Sequence, residues 1–295
     1  MDVRLSNSPV SWGVDYADDP KNPPWPAVLD GIAAAGYELT ELGPYGYLPT
    51  DPAMLRSELA KRGLALTAGV LFQQLNDPTQ TDAIMALANR NVELLSQAGG
   101  RYLVMIDMLC EPRMSTAGRP DLAERLETAR FQHMLDLFDR IAEVALAKDV
   151  MPVIHPHAGT YVEFEDEIEE VLTKLDPDKI GLCVDTGHMA YAGVDLLAFY
   201  KRHAKRVQYM HFKDINPVVR KRALAERKSF YGAVADCIFC PLGQGMVKWQ
   251  EFAQLLQETG YNGAATVEQD VNPLETSNSI QDSKSSLEFL RLVGL

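Results

Sequence analysis

Short apolar runs alternate along the chain with longer stretches in which apolar positions recur every three or four residues. The first kind fits strands of a parallel sheet buried on both faces, and the second fits amphipathic helices laid over it. The pattern predicts strands over 5–12, 37–42, 64–72, 102–107, 151–155, 180–185, 207–212 and 264–268. It predicts helices over 25–35, 52–62, 79–98, 122–148, 165–175, 196–203, 249–259 and 279–292. Gly36 and Gly63 stand where a left-handed residue ends a helix, and Pro52 stands where a first-turn proline is tolerated.

Eight strands, each followed by a helix, is the count of a closed barrel. The expected fold is therefore α/β, a single (β/α)8 TIM barrel over residues 1–295. An open doubly wound sheet would carry a Gly-rich phosphate turn after its first strand, where this chain reads Ser11-Trp12-Gly13-Val14-Asp15. No linker rich in Ser, Gly or Pro divides the chain. Residues 216–246 are too long for a simple connection, and an insertion there, after the seventh strand, would lie near the barrel mouth and could act as a lid. Its Arg220-Lys221-Arg222 reads as a solvated loop.

Composition acts mainly by exclusion. With 46% hydrophobic and 23% charged residues the chain is neither disordered nor fibrous. Lys plus Arg total 28 against 41 Asp plus Glu, a formal charge of −13 that would repel a phosphate backbone, so no nucleic-acid partner is expected. Four cysteines (Cys110, Cys183, Cys237, Cys240) are too few for a disulfide scaffold. The pair Cys237-Ile238-Phe239-Cys240 lacks the second ligand pair of a structural zinc site and reads as buried thiols. The opening Met1-Asp2-Val3-Arg4-Leu5 lacks the basic head and apolar core of a signal peptide, and no run approaches the roughly 18 apolar residues of a membrane span. The expectation is a cytoplasmic protein with no membrane partner.

In such a barrel, chemistry belongs at the carboxyl ends of the strands. There the chain places Glu41, Asp107, His155 with His157, Asp185 with His188, His211 with Lys213, and Glu268. On a strand of period two, His155 and His157 point the same way, as do His211 and Lys213. Asp, His and Glu donors from several strand ends make an open site for one divalent cation, and mixed oxygen and nitrogen donors suit manganese, cobalt or zinc better than calcium. Blander readings exist for single residues: Asp185 as a helix cap, His157 as a core histidine, Trp12 as packing where it could also floor a sugar pocket. The joint occurrence of Asp185, His188, His211 and Glu268 favours the metal.

At these residues the sequence resembles the xylose-isomerase-like barrels that act on sugars and polyols, and within them the inosose dehydratase-like branch. The marks are Pro9-Val10-Ser11-Trp12-Gly13, the stretch from Thr40-Glu41-Leu42-Gly43 to Pro49, and His155-Pro156-His157-Ala158-Gly159-Thr160-Tyr161-Val162-Glu163. They continue in Asp185-Thr186-Gly187-His188, His211-Phe212-Lys213-Asp214, Pro241-Leu242-Gly243-Gln244-Gly245 and Glu268-Gln269-Asp270. The resemblance implies metal ligands His155, Asp185, His211 and Glu268, with manganese first and cobalt or zinc next. His155 stands where the wider family has a Glu, and Glu163 is the alternative fourth ligand.

It further implies a small-molecule substrate, a keto-sugar or a keto-polyol such as 2-keto-myo-inositol, dehydrated by proton abstraction α to the carbonyl and loss of hydroxide. Glu268 or His155 would be the base. His188, His157 or Lys213 would stabilise the oxyanion or protonate the leaving hydroxyl, and Glu41, His157 and Trp12 would contact substrate. The rival is an isomerase or epimerase using the same enediolate. An apurinic-endonuclease-like activity is opposed by the acidic charge, and a sugar-binding protein with a dead site by the intact ligand set. Relatives of this kind are often homo-oligomers.

Overall fold

The computed structural model describes residues 3–271 and 276–295, so Met1 and Asp2 of the opening stretch lie outside it. The strands are Arg4–Asn7 (β1), Leu39–Thr40 (β2), Ala65–Leu66 (β3), Ala68–Gln73 (β4), Tyr102–Asp107 (β5), Met151–Ile154 (β6), Gly181–Asp185 (β7), Val207–Phe212 (β8), Asp214–Ile215 (β9), Phe239–Cys240 (β10) and Ala264–Val267 (β11). All but β9 and β10 form one parallel sheet in the order β3-β2-β1-β11-β8-β7-β6-β5-β4. β3 and β4 are one strand interrupted at Thr67, so the two ends of that order meet and the sheet closes into an eight-stranded barrel. At the break, Thr67 holds the seam by donating from its amide (2.9 Å) and hydroxyl (2.8 Å) to the Thr40 carbonyl.

The helices are Trp25–Ala34 (α1), Pro52–Ala60 (α2), Thr81–Ala98 (α3), Thr128–Leu146 (α4), Glu165–Lys174 (α5), Thr186–Ala192 (α6), Leu196–His203 (α7), Pro217–Ala225 (α8), Phe230–Ala235 (α9), Trp249–Thr259 (α10) and Ser279–Leu292 (α11). Among the described residues no helix is long and apolar enough to cross a membrane. The main core lies between barrel and helices, while Ala68, Val104, Val153, Cys183, Tyr209 and Ala264 fill the barrel interior. A separate apolar cluster joins Leu109, Ala158 and Tyr191 to Ile215, Phe230 and Phe239, which anchors the 216–246 segment to the barrel.

Several expectations need correction. The first strand stops at Asn7, because Pro9–Trp12 turns into a 3-10 helix closed by Gly13 at φ 80°. α4 starts at Thr128, well after 122, because the buried Arg113 guanidinium takes the Glu124 carbonyl (2.8 Å) and holds that stretch off the helix. Arg220-Lys221-Arg222 lies on α8 and is not a loop: Asn216 caps the helix, Pro217 opens it, and Arg220 donates to the Tyr191 carbonyl. Cys237 is exposed and Cys240 half-buried, so the pair is not a set of buried thiols.

Candidate active site

Asp185 ends β7 and does two things at once. Its Oδ1 caps α6, accepting from the Gly187 (2.8 Å) and His188 (2.7 Å) amides, as the blander reading required. Capping fixes the carboxylate and leaves Oδ2 without a hydrogen-bond donor in the middle of the barrel mouth. Gly187 is needed behind it: a Cβ there would stand 2.7 Å from the Lys213 side chain. The Thr186 hydroxyl ties β7 to β8 by donating to the Lys213 carbonyl (2.6 Å) and accepting from its amide (2.9 Å).

Two histidine nitrogens lie near that Oδ2, and Glu268 stands beside one of them. His155 Nε2 stands 3.3 Å away, His211 Nδ1 3.8 Å, and Glu268 Oε2 lies 3.1 Å from the same Nδ1. His211 Nε2 donates to Glu41 Oε1 at 2.9 Å, beside the Tyr209 hydroxyl at 2.8 Å. With that proton on Nε2, Nδ1 carries the lone pair and faces a carboxylate, an arrangement that repels unless a proton or a cation stands between. Burial opposes a second proton on His211, but Glu268 and Glu41 on either side hold its pKa well above the usual histidine value. A cation at Nδ1 would take the place of that proton.

Donor spacing tests the fit. A first-row cation about 2.0–2.2 Å from each ligand keeps neighbouring donors roughly 3.0–3.6 Å apart; the separations of 3.1 and 3.3 Å fall in that range, and the 3.8 Å between His211 Nδ1 and Asp185 Oδ2 is slightly wider. Glu41 Oε2, His155 Nδ1, Asp185 Oδ2 and His211 Nδ1 are all buried polar atoms without a hydrogen-bond partner. The donor set of two imidazoles and two carboxylates suits a divalent transition metal.

Beside this set lies Lys213, fully buried. Its Nζ donates to Asp270 Oδ1 (2.7 Å) and to His188 Nε2 (2.9 Å), and lies 3.3 Å from Glu268 Oε2 and 3.5 Å from Asp185 Oδ2. Burial works against the ammonium, but Asp185, Asp270 and Glu268 outweigh it and raise the pKa. Burial raises the Glu268 pKa, yet His211 and Lys213 bring it below the ordinary carboxylate range. His157 and His188 stack at 3.7 Å between ring centroids. Burial, and the positive groups around them, lower both pKa values well below 6.5, so both rings are neutral at pH 7. Since His157 Nδ1 lies 2.8 Å from the Ala158 carbonyl, it must carry the ring proton and leave Nε2 bare.

Above the cluster opens a cavity of about 450 Å³, lined on one side by Asp15, His155, His157, His211, Lys213, Glu268 and Asp270. Not every residue expected there is present. Trp12 donates from Nε1 to Asn7 Oδ1 (3.0 Å) and its ring packs on α1 where a Cβ at Gly31 would collide with it, so it does not floor the pocket. Glu41 lies beneath His211 and orients it, outside the cavity wall. His188 has its Nε2 occupied by Lys213 and also stays out of the wall. Asp107 is bound through both oxygens by the Asn76 amide (2.8 and 2.9 Å), with burial pushing its pKa to about 6. Glu163 faces away: its oxygens accept from the Gly118 (2.6 Å) and Gly159 (3.0 Å) amides and pair with Arg113. Of the two candidates for the fourth donor, His155 is the one at the cluster.

Three participants were missed. Tyr209 and Asp270 share strand parity with His211 and Glu268, a signal the period of two already carries. Asp15 lies just past the 3-10 helix, which no strand pattern would have flagged. Its carboxyl has no hydrogen-bond or ion-pair partner among the described residues, and burial, with Asp270 next, pushes its pKa to about 7. The Pro241–Gly245 motif proves structural: Asp214 accepts from the Gly243, Gly245 and Val247 amides and from Trp249 Nε1.

The model of the family described as xylose isomerase-like TIM barrel matches residues 29–293. The chain belongs to that family. Within it, the chain is 29% identical over 283 residues to an inosose dehydratase of Geobacillus kaustophilus, covering 92% of this chain and 88% of that protein. It is 31% identical over 280 residues to the rhizopine catabolism protein MocC of Rhizobium meliloti, covering 92% and 83%. Among solved structures, the IolI protein with a bound zinc atom superposes with a TM-score of 0.72 at 15% identity, over 99% of both chains. D-psicose 3-epimerase with D-tagatose, from Clostridium cellulolyticum H10, gives 0.70 at 13%, also over 99% of both. These xylose isomerase-like barrels share the fold with this chain.

Proposed function

We propose that this xylose isomerase-like barrel is a divalent-metal-dependent dehydratase of a keto-polyol such as 2-keto-myo-inositol, with manganese as the first candidate cation and cobalt or zinc next. The observation that carries the reading is that His211 Nδ1 faces Glu268 Oε2 at 3.1 Å, with Asp185 Oδ2 and His155 Nε2 near by. Curated relatives named inosose dehydratase, aligned over nine-tenths of the chain, support the reaction class. The four free cysteines fit a cytoplasmic enzyme.

A cation held by His155, Asp185, His211 and Glu268 would supply Lewis-acid polarisation of the ring carbonyl and lower the cost of the enediolate. The protein's own groups divide the rest. Lys213 keeps its proton, because three carboxylates surround it, and offers a fixed positive charge to the developing oxyanion. Asp270 and His188 hold that ammonium in place, which makes His188 a positioning residue, not an acid.

The base assignment moves from Glu268 and His155, both committed to the cation, to His157. Its neutral ring lines the cavity with a bare Nε2 and takes the proton α to the carbonyl. Asp15, about half protonated near pH 7, gives its proton to the departing hydroxide, which leaves as water. Solvent exchange then returns His157 and Asp15 to their starting states. Two acid/base groups on one cavity also suit an epimerase, which would return the proton to the other face without losing water. Purified protein with manganese and 2-keto-myo-inositol is expected to form a chromophoric dione. Deuterium wash-in with no dione would favour the epimerase.

A further inference from the structure

Two polar side chains in the cavity wall take no part in the cluster. Counting β3 and β4 as one strand, the metal cluster comes from the ends of the last four strands in chain order, β6, β7, β8 and β11. Ser8 follows β1 and Gln73 ends β4, so both stand on the other half of the ring. β4 is four strands from β8 in either direction round the barrel, which sets Gln73 across the mouth from His211. Both residues line the same cavity as His155, His211 and Glu268.

Neither side chain is spent within the protein. The Gln73 carbonyl accepts from the Leu75 (2.7 Å) and Met108 (2.9 Å) amides, which fixes the strand end. Its side-chain amide has no hydrogen-bond partner among the described residues, whereas Asp107, its neighbour in register on β5, is held through both oxygens by Asn76. Ser8 stands at the start of the 3-10 helix without capping it. It is only 2% exposed, yet its hydroxyl also has no partner among the described residues. Since Ser8 lines the cavity, a partner for it would come from there, and a buried hydroxyl left without one is costly.

The chemistry of the two groups says what they would hold. A carboxamide and a hydroxyl each donate and accept, as a polyol hydroxyl does, and neither carries a charge. A phosphate would be poorly received, because Asp15, Asp18, Glu268 and Asp270 line the cavity against the single Lys213. We infer that Gln73 and Ser8 are specificity-determining residues that hold ring hydroxyls remote from the carbonyl, Gln73 taking the one on the carbon opposite it. The inference rests on the keto-polyol reading of the site and names the groups that read the far side of the substrate. Neither residue touches the reacting carbons. They supply binding energy away from them and fix how the ring lies over the cluster.

The test compares 2-keto-myo-inositol with the same ketone lacking the hydroxyl opposite the carbonyl, by dione formation on the manganese-loaded protein. The deoxy ketone is expected to lose about tenfold in kcat/KM, through KM, as one neutral hydrogen bond in a binding site allows. Gln73→Leu is expected to cost the parent ketone about the same factor and to use the two ketones equally well, whereas a merely structural Gln73 would lower both alike. Ser8→Ala should raise KM for the parent about fivefold and keep the preference over the deoxy ketone. A thermal melt checks that both variants fold, and the deoxy ketone tests Gln73 in the unaltered protein without a variant. Equal use of the two ketones by the unaltered protein, or an undiminished preference in Gln73→Leu, removes Gln73 from the substrate and leaves the dehydratase reading standing. An unchanged KM in Ser8→Ala does the same for Ser8. If the unaltered protein turns over neither ketone, the keto-polyol reading falls and both assignments fall with it.

Discussion

Two groups of buried charges lie a few residues apart in this barrel, and they are built on opposite terms. Around Arg113, every carboxylate oxygen is answered within the protein. Glu163 takes the Gly118 and Gly159 amides, and Glu167 takes Arg113 at 2.6 and 2.9 Å together with the Glu163 and Phe164 amides at 3.0 Å. Arg113 also lies over the Tyr161 and Phe164 rings. Around Asp185, the converse holds: one oxygen caps a helix, and Asp185 Oδ2, His211 Nδ1, His155 Nδ1 and Glu41 Oε2 are left without a hydrogen-bond partner. Both groups are equally dry. Arg113 Nε is left over in the first group, so what separates a structural ion network from a site is the number of acceptor atoms that the protein leaves for something else.

The comparison breaks most sharply at Asp185→Asn. The amide keeps the α6 cap through its oxygen but loses the negative donor, so the protein should fold while kcat/KM falls by a thousandfold or more, about 4 kcal/mol of transition-state stabilisation. Steady-state kinetics beside a thermal melt decide it, and loss of folding without loss of activity per folded molecule would reverse the assignment. Glu163→Ala is the mirror experiment. It leaves the Gly118 and Gly159 amides unpaired while Arg113 keeps Glu167, and the expected cost is about 1–3 kcal/mol of stability in urea unfolding, with metal content unchanged. A stability change within error would show that the Arg113 network is not structural.

Smaller effects sharpen the same contrast. Glu41→Gln removes the charge that orients His211 and should weaken the cation about 10- to 100-fold in a competition titration, without abolishing it. A complete loss would make Glu41 a ligand, through the Oε2 that has no partner. Asp15 bears on pH. Its pKa is about 7 in the folded protein against an ordinary 3.8, so the folded state holds the proton more firmly and loses stability as pH rises from about 4 through 7. Asp15→Asn escapes that loss, so its melting temperature should gain on the parent between pH 5 and pH 8. A constant gap would show that Asp15 is not perturbed. Trp12→Phe should cost about 1 kcal/mol for the lost hydrogen bond to Asn7 and leave KM alone.

The barrel was legible because parallel strands covered on both faces read as plain apolar runs: Tyr102–Asp107 and Val207–Phe212 coincide with their predictions, as do helices α7, α10 and α11. The lapses came where polar chemistry overrides pattern. Pro9–Trp12 carries apolar residues yet turns, since Pro9 opens a 3-10 turn and Gly13 closes it. The 216–246 segment hid two helices, though Asn216-Pro217 is an N-cap followed by a first-turn proline. At the site, position at the strand ends marked His155, Asp185, His211, Lys213 and Glu268. It could not tell that Glu41 would turn down onto His211, or that Trp12 would turn outward onto α1, because both depend on contacts far away in the chain. Asp15 was invisible for a related reason: its role comes from the cavity around it and from no local pattern.

The central claim is that the unanswered atoms around Asp185 hold one divalent cation. Elemental analysis of the purified, manganese-reconstituted protein beside His211→Ala tests it directly. One cation per chain in the parent and less than about a tenth in the folded variant is the predicted result. No bound metal in the parent, or equal amounts in both, would contradict it and make the cluster a metal-free acid/base site.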